Sequence, residues 1–230
     1  MNKIKACLLI HGFGGGPFEL ELLDEKLEKQ EVENLIVKSL TLPGHMKGRK
    51  ALGQSSYKDW IRAVEKAYED LCQRIEPEHI CIIGFSMGGL LASHLATKYA
   101  VGKLVTINMP IYYWDFKNVF SNILNDIKKR ELRAVKRYIK SCFMYPMGAL
   151  IQFKLLHIKT RRCVKKVTCP ILVVQARDDD AVNHKSADYI MKKVQSKHKE
   201  VIYFDEGGHG LLMGDKAEGV AEIISKSILY

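Results

Sequence analysis

"HICIIGFSMGG", residues 79–89, joins a continuous apolar run to a serine set among glycines. The run has the length and β-branched content of a buried strand, and it stops where the glycines begin. Gly84 and Gly88 stand two positions before and two positions after Ser86. Glycine at those places removes the side chains that would collide in a sharp strand-to-helix turn, and such a turn presents the serine hydroxyl. The plainer reading is a glycine-rich turn that happens to hold a serine. Five residues leave both readings open, and the rest of the chain has to separate them.

The same apolar texture recurs on either side. "KACLLI" (5–10), "NLIVKSL" (34–40), "KLVTIN" (103–108), "CPILVVQA" (169–176) and "EVIYFDE" (200–206) read as further strands. Near-continuous apolar runs of this kind belong to strands covered on both faces. Helical patterns separate them. Pro17 opens one, with Leu20, Leu23 and Leu27 at helical spacing. Ser56 is placed to cap "YKDWIRAVEKAYEDLCQRI", in which Trp60, Ile61, Val64, Tyr68 and Leu71 form one stripe. "MGGLLASHLATKYA" follows Ser86, and two more helices are expected over about 184–195 and on "KAEGVAEIISKSIL". "TLPGHMKGRKALGQSS" (41–56) reads as a loop. This alternation predicts an α/β fold: one mostly parallel sheet of about six strands with helices on both faces. A single domain over residues 1–230 is expected, with a helical insertion over about 110–165 between the fourth and fifth strands.

Composition narrows the function classes. A hydrophobic fraction of 47% excludes a disordered chain. No run approaches the ~18 apolar residues needed to span a bilayer. The start "MNKIKACLLIHGFGGG" mimics a signal peptide, but its apolar run, Ala6 to Ile10, is too short for one, so a cytoplasmic protein is expected. Six cysteines lack CxxC or His-paired spacing, which predicts free thiols and no metal site. The net charge of +10 is concentrated between Lys128 and Lys166, where thirteen Lys/Arg face one acid, Glu131. Lys129, Arg133, Lys136, Arg137 and Lys140 recur at helical spacing, with Leu124, Ile127, Val135, Ile139 and Cys142 on another face. This basic amphipathic pattern is either a solvated cover or a lid that touches anionic lipid surfaces weakly. No nucleic-acid motif accompanies the charge, and no nucleic-acid partner is expected.

A serine hydroxyl becomes a useful nucleophile only when a base takes its proton, and that base is commonly a histidine oriented by a carboxylate. Candidates follow Ser86 in the order serine, acid, histidine. The acidic run Asp178, Asp179, Asp180 comes after the fifth strand, and "EGGHG" with His209 comes after the sixth. In an open parallel sheet the carboxyl ends of the strands share one edge, so these groups are expected to meet there. Backbone amides must also face the oxyanion of a tetrahedral intermediate. Met87, just past the serine, supplies one, and Phe13 in the glycine-rich loop "HGFGGG" is the candidate for the other.

"LLIHGFGGG", "IGFSMGG", "CPILVVQARDDDAVN" and "EGGHG" together resemble the small carboxylesterases and monoacylglycerol lipases of the α/β-hydrolase superfamily. The likeness runs over nearly the whole chain and is weakest in the insertion, which the resemblance casts as a lid. It implies Ser86 as nucleophile, Asp179 as the acid, His209 as the base, and the Phe13 and Met87 amides as oxyanion donors. It also implies a cofactor-free serine hydrolase of short- to medium-chain acyl esters. The alternatives are a monoacylglycerol lipase, less so a thioesterase or serine peptidase, and, from another class, a non-catalytic lipid-binding scaffold. Two departures stand out. The loop motif Pro-Gly-His-Gly is here "PGHM" (Pro43 to Met46), and the first strand of the parallel set comes without the N-terminal hairpin of larger relatives.

Overall fold

Six parallel strands form one sheet in the order β2-β1-β3-β4-β5-β6, with β1 Ala6–Ile10, β2 Ile36–Leu40, β3 Ile80–Phe85, β4 Lys103–Ile107, β5 Ile171–Ala176 and β6 Lys199–Phe204. The computed structural model describes residues 3–29, 34–112 and 145–229. Every residue of β1, β3, β4 and β5 is buried, as expected of near-continuous apolar runs, and the edge strands β2 and β6 are only half-covered or exposed.

Alternation within the strands sends side chains to two separate cores. One face carries Leu8, Ile10, Ile82, Leu104 and Val173 and is packed by α3 (Tyr57–Cys72), α4 (Met87–Lys98) and α5 (Met147–Thr160). The other carries Cys7, Leu9, Ile83, Val105, Leu172 and Val174 and is covered by α1 (Glu21–Glu28) and α7 (Ala217–Leu229). The remaining helix beside β5, α6, is Lys185–Lys193 and contributes Ala187 and Ile190 to the first core. Lys103, buried at the start of β4, is satisfied by donating its ammonium to the Ser227 carbonyl in α7.

The α3 stripe is buried as its spacing predicts, and Ser56 caps it reciprocally with Asp59. The Ser56 hydroxyl accepts the Asp59 amide while the Asp59 carboxylate accepts the Ser56 amide at 2.9 Å. Two local expectations need correction. The pattern opened by Pro17 starts as a 3-10 turn, Pro17–Leu20, before α1 begins. The stretch 41–56 is not all loop: it contains α2, Gly48–Gln54, anchored by buried Leu52. Three glycines disguised that turn of helix, and Gly44 and Gly48 lie at positive φ just ahead of or at its start.

Within the expected insertion, the described residues form α5 and a 3-10 turn, Cys163–Lys166. The basic amphipathic pattern from Leu124 to Cys142 lies outside the described residues.

The connections leaving β1 and β3 go to opposite faces, because α1 covers one face and α4 the other. The carboxyl ends of β1 and β3 therefore flank the crevice where an open α/β sheet holds its ligands. The "HGFGGG" loop and the Ser86 turn leave the sheet at that place.

Candidate active site

Ser86 sits between β3 and α4 with φ 51° and ψ −119°, a conformation rarely adopted by a residue with a side chain. The flanking glycines make it possible. A Cβ on Gly84 would lie 2.2 Å from the Gly88 carbonyl oxygen, and one on Gly88 would lie 2.0 Å from the Ile10 carbonyl oxygen. Backbone therefore meets backbone on both sides of the turn, and no other residue fits. The turn is tied to the sheet by the Ser86 amide, which donates to the Ile107 carbonyl at 2.8 Å.

The loops after β5 and β6 bring the acid and the imidazole to this serine. His209 Nε2 is 3.0 Å from Ser86 Oγ, and His209 Nδ1 is 2.8 Å from Asp179 Oδ2. Asp179 is buried, and its other oxygen accepts the amides of Ala181 at 2.8 Å and Val182 at 2.9 Å. Those bonds hold the carboxylate in one orientation. Of the three consecutive aspartates, Asp179 is the one hydrogen-bonded to His209; Asp178 turns instead to the amides of Gly207 and Gly208. Burial alone would lower the His209 pKa. The Asp179 hydrogen bond and the charges of Asp179, Glu19 and Asp180 overcome it, and the net shift is upward.

The glycine-rich loop completes the site. His11, fully buried, accepts the Leu42 amide on Nε2 at 3.0 Å, which leaves Nδ1 to donate to the Gly12 carbonyl at 2.8 Å. Burial pushes the His11 pKa down to about 4, so the ring is a neutral strut between the exits of β1 and β2. The Gly12 amide donates to Glu19 Oε2 at 2.8 Å. Among the described residues, no acceptor engages the next amide, Phe13, or the Met87 amide at the first position of α4. Met87 lies at a helix N-terminus, where unpaired amides favour negative charge. The Phe13 ring packs against Tyr145 at 5.0 Å and Phe153 at 5.3 Å, with Trp60 and His45 behind it, making an aromatic wall beside the loop.

All five residues singled out from the sequence, Ser86, Asp179, His209, Phe13 and Met87, thus come from loops or helix starts at the carboxyl edge of the sheet. Sequence reasoning leaves out two neighbours, Glu19 and Asn108, and takes Asp178 only as one of three candidate acids. Glu19 carries no local signal, since its partner amide is seven residues away and its carboxyl, pushed up by burial, shows its place only in the fold. Asn108 had one cue, an asparagine ending a strand, where the side chain tolerates positive φ. Among the described residues no cluster of three or more His, Cys, Asp or Glu could hold a metal ion, and no helix is long and apolar enough to cross a membrane.

The chain is similar to several known proteins. The alpha/beta hydrolase family matches residues 7–223. The chain is 26% identical over 219 residues to a thermostable monoacylglycerol lipase from Bacillus sp. (strain H-257), covering 90% of this chain and 84% of that protein. It is also 26% identical over 211 residues to a carboxylesterase from Bacillus subtilis (strain 168), covering 89% and 84%. Among solved structures, one described under the metagenome-derived lipolytic enzymes LipS and LipT superposes with a TM-score of 0.78 at 18% identity, covering 98% of this chain and 94% of that one. The match to the family profile spans nearly the whole chain and includes β1 through most of α7, so the chain belongs to the alpha/beta hydrolase family.

Proposed function

We propose that this protein is a serine carboxylic ester hydrolase acting on short- to medium-chain acyl esters. Its carboxylesterase and lipase relatives make it a hydrolase of carboxylic esters; the serine mechanism and the acyl range are our reading. One observation carries the reading: the unbroken hydrogen-bond chain from Ser86 Oγ through both nitrogens of His209 to buried Asp179, beside two amides with no acceptor among the described residues.

In this mechanism Ser86 Oγ attacks the ester carbonyl as His209 Nε2 takes its proton. Asp179 holds the Nδ1 proton and stabilises the imidazolium. The Phe13 and Met87 amides bind the developing oxyanion, and the α4 N-terminus adds its positive end. His209 returns the proton to the leaving alcohol, then activates the water that releases the acid. Ser86→Ala is expected to lower turnover of p-nitrophenyl esters by several orders of magnitude with the fold intact. A serine-directed organophosphonate is expected to label the wild type at Ser86. Full activity in the variant, or labelling elsewhere, overturns the mechanism.

A monoacylglycerol lipase is the second reading, favoured by one relative and by α5. Met147, Ile151, Leu155 and Ile158 lie on one side of that helix and are all exposed, Met147 at 70%. Lys154, Lys159, Arg161 and Arg162 flank them without an intervening acid. An apolar stripe bordered by cations suits the surface of an anionic lipid layer. The free thiols among the described cysteines suit a reducing compartment, and we place the protein in the cytoplasm.

A further inference from the structure

We propose that Asn108 and Asp178 are positioning residues that clamp the His209 loop from two sides and thereby set the distance from His209 to Ser86. The proposal rests on the reading of Ser86, His209 and Asp179 as the catalytic group. The need for a clamp comes from the loop itself. Gly207 and Gly208 precede the histidine at φ 135° and 60°, and glycines confer no stiffness of their own.

The two clamps divide the loop's polar groups. Asp178 accepts its amides, Gly207 at 3.2 Å and Gly208 at 2.8 Å. Asn108 takes its carbonyls, donating from Nδ2 to Gly208 at 3.1 Å and to His209 itself at 2.9 Å. Asn108 Oδ1 accepts the Ala176 amide at 2.8 Å, and Ala176 ends β5 just before the acid loop. One carboxamide thus fixes the backbone of the base relative to the strand that carries Asp179. Asn108 is fully buried, its own amide continues the ladder to the Val174 carbonyl at 2.9 Å, and its φ is 46°. Two donors, one acceptor and tolerance of that φ are all used at once. Asparagine alone meets the set: aspartate lacks the donors, and glycine lacks all three groups.

Removing either clamp frees the loop to move by an ångström or so, and misplacement of that size costs about 10²-fold in rate. The test compares Asn108→Ala and Asp178→Ala with the wild type and with Asp205→Asn. Asp205 begins the same loop but is highly exposed and, among the described residues, pairs only with Arg177, so its variant serves as a control. For both clamp variants kcat on a p-nitrophenyl ester is expected to fall at least tenfold with KM nearly unchanged. The far-downfield proton resonance of the His209–Asp179 hydrogen bond is expected to broaden or vanish in Asn108→Ala, a substitution that alters no charge. Asp178 is exposed, so its variant keeps the test open if Asn108→Ala fails to fold. Wild-type kcat in Asp178→Ala, or in a folded Asn108→Ala that retains the resonance, overturns the clamp. An active Ser86→Ala overturns the catalytic reading instead, so the two failures are told apart.

Discussion

Asn at position 179 would keep the shape of the aspartate and place either a neutral oxygen or a donor against His209 Nδ1. The ring would then lose the partner that holds its proton, and the tautomer with a free Nε2 lone pair would be disfavoured. Asp179→Asn is expected to lower kcat by up to ~10⁴-fold with KM little altered. The surviving activity should also titrate differently. The hydrogen bond and charge of Asp179 raise the His209 pKa against the effect of burial, and a neutral imidazole is the working base. Loss of Asp179 therefore moves the acid limb of the kcat/KM profile to lower pH. An unmoved limb would show that another group sets it, Glu19 and Asp180 being carboxylates whose charge also raises the His209 pKa. Ser86 and His209 were legible in the sequence because each sits among glycines whose presence only a special backbone explains. Asp179 was legible as one of three, and resemblance chose it. Asn108 and Glu19 were not, since their partners across the chain become neighbours only when the sheet forms: Asn108 and His209 are separated by 101 positions.

The turn between β3 and α4 carries the strictest steric demand described. Gly88→Ala would press a methyl carbon into the Ile10 carbonyl, 2.0 Å from where the Cβ must go, and neither backbone is a flexible end that can swing aside. The variant is expected to lose more than about 3 kcal/mol, or to accumulate only as aggregate, as read by urea unfolding of the soluble fraction. Unchanged stability would mean that the α4 start can shift, and the elbow would then not be rigid. Strand positions were the most readable elements, since β1, β3, β4 and β5 are short, near-continuous apolar runs broken only by single residues such as Thr106 and Gln175. α2 leaves little trace in the sequence for the opposite reason. It is short and glycine-flanked, and a single buried leucine holds it, so no periodicity could accumulate.

At the scale of the molecule, charge is the unusual property. The six cations from Lys154 to Lys166 face no acid in that stretch, and they border the exposed side of α5. If this surface meets anionic lipid, Arg161→Glu with Arg162→Glu is expected to weaken co-sedimentation with phosphatidylserine-containing vesicles by well over tenfold, at roughly 1 kcal/mol for each basic residue near the surface. Hydrolysis of a small soluble ester should stay as in the wild type. Absence of wild-type binding at low ionic strength sinks the idea. The alternation of strands and helices announced a parallel sheet, but the order β2-β1-β3-β4-β5-β6 depends on which face each crossover takes. That choice is made by packing between distant helices and leaves no local trace in the sequence.

The one-sided placement of the functional loops also bears on how the molecule can be handled. Ser86 leaves β3 at its far end, and the six residues of that strand put roughly 20 Å between it and the turn that feeds the strand. Arg74 and Glu76 in that turn are exposed. A cysteine introduced there and coupled to a bead or electrode would anchor the molecule by its heel, leaving the serine to face the passing stream of substrate.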